Sequence, residues 1–402
     1  MNTSLISVGR PDRRAWSAVG SMTMCVALLI ASEFMPVSLL TPIARDLSAT
    51  DGMAGQAISI SGLFAVVTSL LVPTVASRFD RRQVLASLTA LMLASLVVIA
   101  LAPNFATLMS ARALLGVTIG GFWALSTATV MRLVPKADVP KALGVLYMGN
   151  AAATALAAPM GSYLGGVIGW RGVFWALVPF AAFNLVWQWR SLPRLPRQAP
   201  IPARHVVALL KRPHVAVGMA GVMLTFGGAF ATFTYLRPFL ESRTDPNLPQ
   251  LSALLLALGV AGFAGTYAAT AMVPRHLYRM LRGLPLALAA VTLLLLPTGH
   301  LLWAVGCTMA VWGTLNSAIP VTWSNWLALG VSDEPEAGGG LMVAAIQLAI
   351  MLGAALGGFL LDHVSIAATF AGGTALLVLA SLAVGNGRRL QGARGTRGTT
   401  DA

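Results

Sequence analysis

The chain carries little charge for its length. Its 402 residues are 57% hydrophobic and only 10% charged, whereas a soluble globular domain carries about 25% charged residues. This deficit excludes an ordinary soluble protein. Long apolar runs recur from residue 15 to residue 386, and about 20 apolar residues suffice to span a bilayer as a helix. The sequence therefore predicts an all-α integral membrane protein.

Several kinds of functional site are also missing from the sequence. It has no Gly-x-x-x-x-Gly-Lys phosphate loop, so we do not expect ATP to drive the protein directly. The two cysteines, Cys25 and Cys307, lie in separate apolar runs and are expected to pack rather than to form a disulfide. Among the five histidines only His363 adjoins an acid, Asp362, and none has metal-ligand spacing. We therefore predict no cofactor, no metal and no enzymatic activity.

The apolar runs predict twelve membrane-spanning helices. The ninth is short, and only the turn Thr298-Gly299-His300 divides it from the tenth. The predicted spans are residues 16–41, 53–76, 84–102, 106–131, 140–168, 171–190, 214–236, 249–273, 284–299, 301–327, 338–361 and 365–386.

Basic residues predict how these spans are oriented. With the N-terminus inside, 22 of the 27 Lys and Arg residues fall in the inner segments, four in the outer segments and one, Arg112, within a span. This positive-inside pattern predicts that both termini lie in the cytoplasm. It also explains the net charge of +14 through contact with anionic lipid headgroups, so we expect membrane lipids and no nucleic acid as partners.

A basic, proline-rich segment divides the spans into two sets of six. We interpret residues 191–213 as a cytoplasmic linker between an N-terminal six-helix bundle, 16–190, and a C-terminal one, 214–386. Residues 1–15 form a cytoplasmic N-terminus and residues 387–402 a basic cytoplasmic tail. This organisation is typical of transporters with two repeats, which bind their substrate near the membrane midplane between the repeats.

One acidic side chain lies well inside a predicted span. Glu33 occupies such a position, where an ionisable group costs about 2.5–3.5 kcal/mol on insertion scales and is usually paired or functional. Glu33 is therefore the candidate proton carrier and Arg112 its candidate partner. Arg112 lies near the start of its span, so its side chain could instead reach the outer headgroups.

Small residues recur along three of the predicted spans. Arg112, Gly116 and Gly120 follow one another at intervals of four residues and so share one helix face. Glycine lets a second helix approach closely, and a proline inside a helix bends it. The predicted packing or hinge residues are Gly116, Gly120, Pro159, Gly161, Gly353 and Gly357.

Polar and aromatic side chains inside the spans are candidates for contact with a substrate. An isolated amide in a span often only bonds to a neighbouring helix, at under ~1 kcal/mol. The amides are spread over both halves, and as a set they could also bind a polar solute. The candidates are Trp123, Asn150, Asn316 and Gln347. Most of the remaining aromatic residues near them are interpreted as packing or interface residues: Phe226, Phe230, Phe233, Tyr235 and Trp312.

Short stretches of the chain resemble motifs of the major facilitator superfamily. The loop VASRFDRRQVL (75–85) resembles the family's signature loop and matches it at Arg78, Arg81 and Arg82. Ser77 stands where the family has the aspartate that latches the two halves, and Asp80 could replace that aspartate. The stretches RALLGVTIGGFW (112–123) and APMG (158–161) resemble the fourth-helix motif and the fifth-helix exporter motif.

Longer stretches resemble the drug:proton antiporter branch of this superfamily. They include SEFMPVSLLTPIARDL (32–47), GFWALSTATVMRLVP (121–135) and FTYLRP (233–238), in the order expected. Within the branch they are most similar to bacterial exporters of purine ribonucleosides. The resemblance implies two pseudo-symmetric six-helix bundles, a position in the bacterial inner membrane, and a monomer.

The resemblance also implies an activity. We expect purine ribonucleosides such as inosine and guanosine to leave the cytoplasm in exchange for protons, with Glu33 and Arg112 coupling the two movements. The small-molecule substrate and protons are then the partners, and the proton gradient supplies the energy. The alternatives are a multidrug or sugar exporter of the same branch, or a non-transporting membrane receptor that would not require Glu33 to titrate.

Overall fold

The structure, a computed structural model, describes residues 13–391 apart from residues 77, 136, 137 and 196–202. This part of the chain is helical and contains no β-strand. Two short 3-10 turns, Leu209–Lys211 and Arg388–Leu390, complete it. The helices are α1 (Arg13–Asp46), α2 (Asp51–Ala76), α3 (Arg81–Leu101), α4 (Phe105–Leu133), α5 (Val139–Ser191), α6 (Ala203–Ala208), α7 (Pro213–Phe233), α8 (Leu236–Arg243), α9 (Leu248–Thr298), α10 (Leu302–Gly330), α11 (Pro335–His363) and α12 (Ile366–Val384).

Two of these helices are too long to be single membrane crossings. A straight helix with the 53 residues of α5 would extend about 80 Å, whereas the apolar core of a bilayer is about 30 Å thick. The backbone leaves the helical conformation at Gly169 (φ 73°) in α5 and at His276 (φ −132°) in α9. The positive φ at Gly169 is one that glycine adopts without steric cost.

Both parts of α5 lie against the same portion of α1. Gly149, before the break, packs against Thr23, and Trp187, after the break, donates from Nε1 to Ser17 Oγ at 2.9 Å. The two arms of α5, residues 139–168 and 170–191, are therefore antiparallel neighbours along α1.

Helix α9 is folded back in the same way. On α10, Trp312 donates from Nε1 to Thr292 at 3.0 Å, while the adjacent Gly313 packs against Leu258. The second arm of α9 begins directly after His276, so the prediction that the ninth span starts at residue 284 was wrong. The two arginines before that position lie in the helix rather than in a loop.

The twelve-helix architecture is confirmed by these two breaks. Among the described residues, ten helices are long and apolar enough to cross a membrane, and the two arms of α5 and of α9 raise the number of crossings to twelve. The first six crossings, α1 to α5, form the N-terminal half. The last six, α7 and α9 to α12, form the C-terminal half together with the short α8.

The two halves meet through equivalent pairs of crossings. The fifth crossing, the first arm of α5, packs on the eighth, the first arm of α9, where Gly259 lies against the Ala155 carbonyl. The second crossing, α2, packs on the eleventh, α11, where Gly62 lies against Gln347 and Met351. In each contact the fifth crossing of one half faces the second crossing of the other half, as the pseudo-symmetry of the fold requires.

Hydrogen bonds join the two halves at one end of the bundle. Helix α1 ends there, and α2 and α12 begin there, so the first residue of α1 and the last of α12 lie at the opposite end. We call the end that holds these two residues the proximal end and the opposite one the distal end. Helix α8 belongs to the distal end and was missed in the sequence, where residues after 236 were assigned to a loop.

Candidate functional site

Arg112 lies in the interior of the N-terminal half and ties three helices together. Its side chain on α4 is 0% exposed. Nε donates to the Ala57 carbonyl at 2.9 Å, Nη1 to the Ser32 carbonyl at 2.8 Å and Nη2 to Ser61 Oγ at 3.1 Å. The guanidinium thus links α4 to α1 and α2. This position contradicts the alternative that Arg112 reaches the outer headgroups.

The small residues after Arg112 make this contact possible. A Cβ added at Gly116 would collide with the Ser61 carbonyl, and one added at Gly120 with the Ala65 carbonyl. The backbones of α4 and α2 therefore approach each other directly along the face that Arg112 shares. This close approach brings the guanidinium within hydrogen-bond distance of the Ala57 carbonyl and Ser61 Oγ on α2.

Glu33 lies beside Arg112 without pairing with it. The carboxyl is 3% exposed, and the two side chains interact through their charges. Among the described residues, no ion pair within 4.0 Å joins Glu33 to Arg112 or to any other cation, and Glu33 Oε1 has no hydrogen-bond partner. Arg112 instead binds the carbonyl of the preceding residue, Ser32.

A second unpartnered polar group faces Glu33 from the other half. Gln347 on α11 is 6% exposed and lies against the Glu33 carboxyl. Its Nε2 meets the geometry of a hydrogen bond neither to the carboxyl nor to any other described residue. Buried polar groups without a partner are rare in folded proteins, and each one calls for an explanation such as a ligand or ordered water. The structure thus places an open acceptor and an open donor together at the interface of the halves.

An aromatic cluster borders this polar pair. Phe34, next to Glu33, packs against Phe230 and Phe233 of α7 with ring centroids 5.8 Å away in each case. Phe233 in turn stacks on Trp312 at 6.1 Å, with the ring planes 7° apart. The indole of Trp312 is held by its hydrogen bond to Thr292. Rings from both halves therefore form one wall of the site.

The sequence interpretation missed part of this wall. Phe34 was not singled out, although it directly follows the buried glutamate. The rings of α7 and α10 were interpreted as packing residues, because a helical pattern cannot show that rings of two halves meet. The position of Phe34 next to an intramembrane charge was the available signal.

Two of the predicted substrate contacts lie away from Glu33. Trp123 is 11 residues beyond Arg112 on α4, which is about 16 Å along the helix axis, and it stacks on Tyr147 at 5.9 Å. Asn150 adjoins Gly149, which packs at the level of Thr23, ten residues before Glu33 and so about 15 Å away. Both side chains are half-buried and lie on the proximal side of the site.

Asn316 lies closer to the aromatic cluster. It is half-buried and follows Trp312 by one turn of α10, so the two share a helix face. Of the four predicted contacts, the structure therefore places Gln347 at Glu33, Asn316 next to the cluster, and the remaining two nearer the proximal end.

The remaining predicted packing residues lie at close approaches between helices. Gly161 packs against Ser38 on α1, and Gly353 against the Gly227 carbonyl on α7. Gly357 lies under the ring of Tyr235. Pro159 is buried within the first arm of α5.

The signature-like loop has a local role in the structure. Ser77 lies outside the described residues. Asp80 is the N-cap of α3 and accepts a hydrogen bond from the Arg82 amide at 2.8 Å. Arg82 stacks its guanidinium over the Trp189 ring at 4.5 Å. Arg78 is exposed and Arg81 is buried. Asp80 also accepts from the Leu195 amide at 3.5 Å, so this loop contacts the start of the segment that joins the two halves.

The distal ends of the halves are joined by side chains of both signs. Glu241 accepts from Thr41 Oγ1 at 2.6 Å and from Arg237 Nε at 2.8 Å, and Arg237 also donates to the Ser38 carbonyl. We call these contacts, together with those of Asp362 described next, the distal latch.

Asp362 forms the other part of the distal latch. Its carboxylate accepts from Thr50 Oγ1 at 2.5 Å and from the Gly52 amide at 3.0 Å. Helix α11 is thereby bonded to the start of α2. The neighbouring His363 turns away and stacks on Phe359 at 4.4 Å.

Comparison with known proteins places this arrangement in a family. The family model described as Major Facilitator Superfamily matches residues 22–339. The chain is 47% identical over 371 residues to the transcription regulatory protein OpdE of Pseudomonas aeruginosa, covering 91% of the chain and 92% of that protein. It is 38% identical over 387 residues to the purine ribonucleoside efflux pump NepI of Salmonella typhimurium, covering 96% and 98%.

Solved structures agree in fold. A D-xylose–proton symporter superposes with a TM-score of 0.73 at 15% identity, covering 91% of this chain and 96% of the symporter. A bacterial homologue of the human lysosomal transporter Spinster, inward-facing and unoccupied, superposes with a TM-score of 0.64 at 14% identity, covering 94% and 95%.

Proposed function

The chain belongs to the Major Facilitator Superfamily and is a multi-pass membrane transporter of small molecules, and we propose that it exports purine ribonucleosides in exchange for protons. The observation that carries the proposal is the pair of unpartnered polar groups, Glu33 Oε1 and Gln347 Nε2, next to the aromatic cluster. The sequence similarity to a purine ribonucleoside efflux pump supports this substrate class.

The site has the groups that a nucleoside needs. A purine ring stacks on aromatic side chains, and the rings of Phe34 and Phe233 meet edge to face at the contact of the two halves, so a base would bind against this cluster. The polar edges of a base or a ribose donate and accept hydrogen bonds, for which Gln347 offers an amide and Glu33 a carboxylate. A polar solute would satisfy both buried groups, which otherwise remain without partners.

Protons and substrate would compete for Glu33. The carboxylate accepts hydrogen bonds from the substrate, whereas the protonated acid has lost the negative charge that strengthens them. Arg112 stays charged and hydrogen-bonded to α1 and α2. One elementary charge that moves through 100 mV yields ~2.3 kcal/mol, which supports a gradient of about 50-fold.

The distribution of basic residues supports the orientation. The proximal end holds most of the Lys and Arg, so we place it, with both termini, in the cytoplasm of a bacterial cell. The distal latch then faces the outside of the inner membrane. Trp123 and Asn150 would line the cytoplasmic approach to the site.

The test uses inverted vesicles with an acidic interior, in which export appears as uptake. We expect uncoupler-sensitive uptake of radiolabelled inosine by the wild type and its loss in Glu33→Gln, because the amide cannot carry a proton. Asp245→Asn is the matched control, since this acid is exposed and its φ of 47° is one that asparagine adopts readily. Uptake of inosine by Glu33→Gln at the wild-type rate and with the same uncoupler sensitivity would contradict the coupling role.

A receptor is the second candidate function, favoured by the similarity to a protein named as a transcription regulator. In this case the same site would bind a nucleoside without moving it across the membrane. Saturable inosine binding to purified protein, combined with no uptake in vesicles, would identify the receptor. Uptake of a labelled drug or sugar in place of inosine would instead leave an exporter with another substrate.

A further inference from the structure

The outer surface of the N-terminal half contains a groove near the proximal end. It lies between α3 and the second arm of α5 and has a volume of about 480 Å³, which is within the range of pockets that hold organic ligands. Small residues of α3 form one wall and larger apolar residues of α5 the other. The lining residues are Ala86, Ser87, Ala90, Leu185, Val186, Trp189 and Arg190.

The groove opens toward the surrounding membrane and not toward the transport site. Val186 and Trp189 are each 48% exposed, on the side of α5 that faces away from α1. The exposed apolar rings of Phe180 and Phe183 continue this surface toward the distal end. An occupant of the groove would therefore come from the lipid phase.

One end of the groove is positively charged. Arg190 is exposed at its rim, and the guanidinium of Arg82 lies over the ring of the lining residue Trp189, 4.5 Å from its centre. Helix α3 begins at the neighbouring residue, so the positive end of its dipole points to the same place. Asp80, whose carboxylate accepts from the Arg82 and Leu195 amides, offsets only one of the two positive charges.

An apolar body below a cationic rim has the shape and charge of a phospholipid site. We propose that this groove binds one anionic phospholipid, with an acyl chain along α3 and the phosphate between Arg82 and Arg190. Basic pockets between membrane helices on the cytoplasmic side bind anionic headgroups in this way. Exposed tryptophan is typical of the headgroup level, which agrees with the position of Trp189.

The equivalent place in the C-terminal half is filled by the chain itself. It lies between the second arm of α9 and α12, the third and sixth crossings of that half. There Tyr278 packs against Gly387, and Leu390 is buried with its carbonyl bonded to Trp326 Nε1 at 3.1 Å. The lipid site is therefore a feature of the N-terminal half and not a consequence of the fold's symmetry.

The experiment measures which lipid stays on the protein. Full-length protein is reconstituted in nanodiscs with equal phosphatidylglycerol and phosphatidylcholine, and retained lipids are counted by native mass spectrometry. We expect one phosphatidylglycerol on the wild type and about fivefold lower retention in Arg190→Gln, the effect of one arginine at a lipid surface. Ala90→Phe, which fills the groove, should abolish retention, whereas Arg279→Gln, an exposed arginine of the C-terminal half, should not change it.

Three results would overturn the proposal. Equal retention of phosphatidylcholine would show that charge does not select the occupant. Unchanged retention of phosphatidylglycerol in both Arg190→Gln and Ala90→Phe would place the lipid elsewhere. Displacement of the lipid by inorganic phosphate alone would identify an anion site without a lipid. Arg190 is exposed, so loss of folding does not obscure the first variant, and a melting curve of each variant checks the second.

Discussion

The two halves of the molecule share an architecture but differ in chemistry. The N-terminal half contributes the buried charges, Glu33 and Arg112. The C-terminal half contributes the open amide of Gln347 and most of the aromatic wall, including Phe233 and Trp312. At the site, the buried charges come from the N-terminal half and most of the rings from the C-terminal half. A transport cycle that couples the movement of protons to that of a solute with an aromatic ring therefore requires contact between the two halves.

The interiors of the two halves also differ in how many polar side chains they bury. In the N-terminal half, the buried hydroxyl of Thr89 donates to Gln188 at 2.7 Å, and the fully buried amide of Asn184 has no partner among the described residues. In the C-terminal half, the corresponding depth is packed by Trp323 and Trp326 at 5.6 Å. At this depth the interior of the N-terminal half is therefore the more polar of the two.

The largest effect is expected from removing the guanidinium of the N-terminal half. Arg112→Met keeps the length of the side chain but leaves three oxygens, on Ala57, Ser32 and Ser61, without their donor. Ser61 still donates to the Ile58 carbonyl, but the Ser32 carbonyl has no helical donor because residue 36 is Pro36, and a buried group left without a partner costs about 1–3 kcal/mol. We expect uphill export to fall more than 100-fold and the melting temperature to drop, while the protein still inserts.

The rate of uptake in inverted vesicles and the melting temperature of the purified variant test this prediction. Arg279→Met, an exposed arginine in the C-terminal half, is the control. Wild-type export by Arg112→Met would show that the charge pair is not part of the mechanism and that the difference between the halves is one of packing alone.

A smaller effect is expected at the aromatic wall. Phe34→Leu removes the ring that the N-terminal half contributes to the cluster with Phe230 and Phe233, and aromatic pairs are worth about 0.5–1.5 kcal/mol beyond their buried area. We expect KM for inosine to rise about 2- to 12-fold with little change in kcat. Phe359→Leu, at an exposed ring near the distal end, should leave both constants unchanged.

A comparison of inosine with a sugar that has no base tests whether Phe34 contacts the substrate. A nucleoside exporter should lose affinity for inosine in Phe34→Leu and keep its uncoupler sensitivity, because the proton site is untouched. Equal losses for inosine and for a sugar without a base would show that the ring supports the helices rather than the substrate.

Much of this fold follows from the sequence, because apolar length and basic flanks are local properties. Glu33 and Arg112 stood out as charges in apolar runs. The sequence also predicts Arg112 as the partner of Glu33, but not that the two lie side by side without an ion pair, because helical periodicity defines a face but neither the neighbour nor its height along the bundle. For the same reason Trp123 and Asn150 were grouped with Gln347, although they lie about 15 Å nearer the proximal end. The sequence predicts a shorter ninth span than the second arm of α9 because the first turns of this arm carry arginines, which are typical of a loop.

The smallest effect is expected at the distal latch, which joins the two halves and to which both contribute. Asp362→Asn retains an acceptor for Thr50 and the Gly52 amide but loses the charge that strengthens both hydrogen bonds, roughly 1 kcal/mol in total. We expect the population with separated distal ends to grow about fivefold. Spin labels at Met53→Cys and Val364→Cys, both exposed, report the distance between the halves after the exposed Cys307 is replaced by serine. If the distance distribution of Asp362→Asn matches that of the Asp245→Asn control, the carboxylate of Asp362 does not hold the distal ends together, and the contacts of Arg237 and Glu241 carry the closure alone.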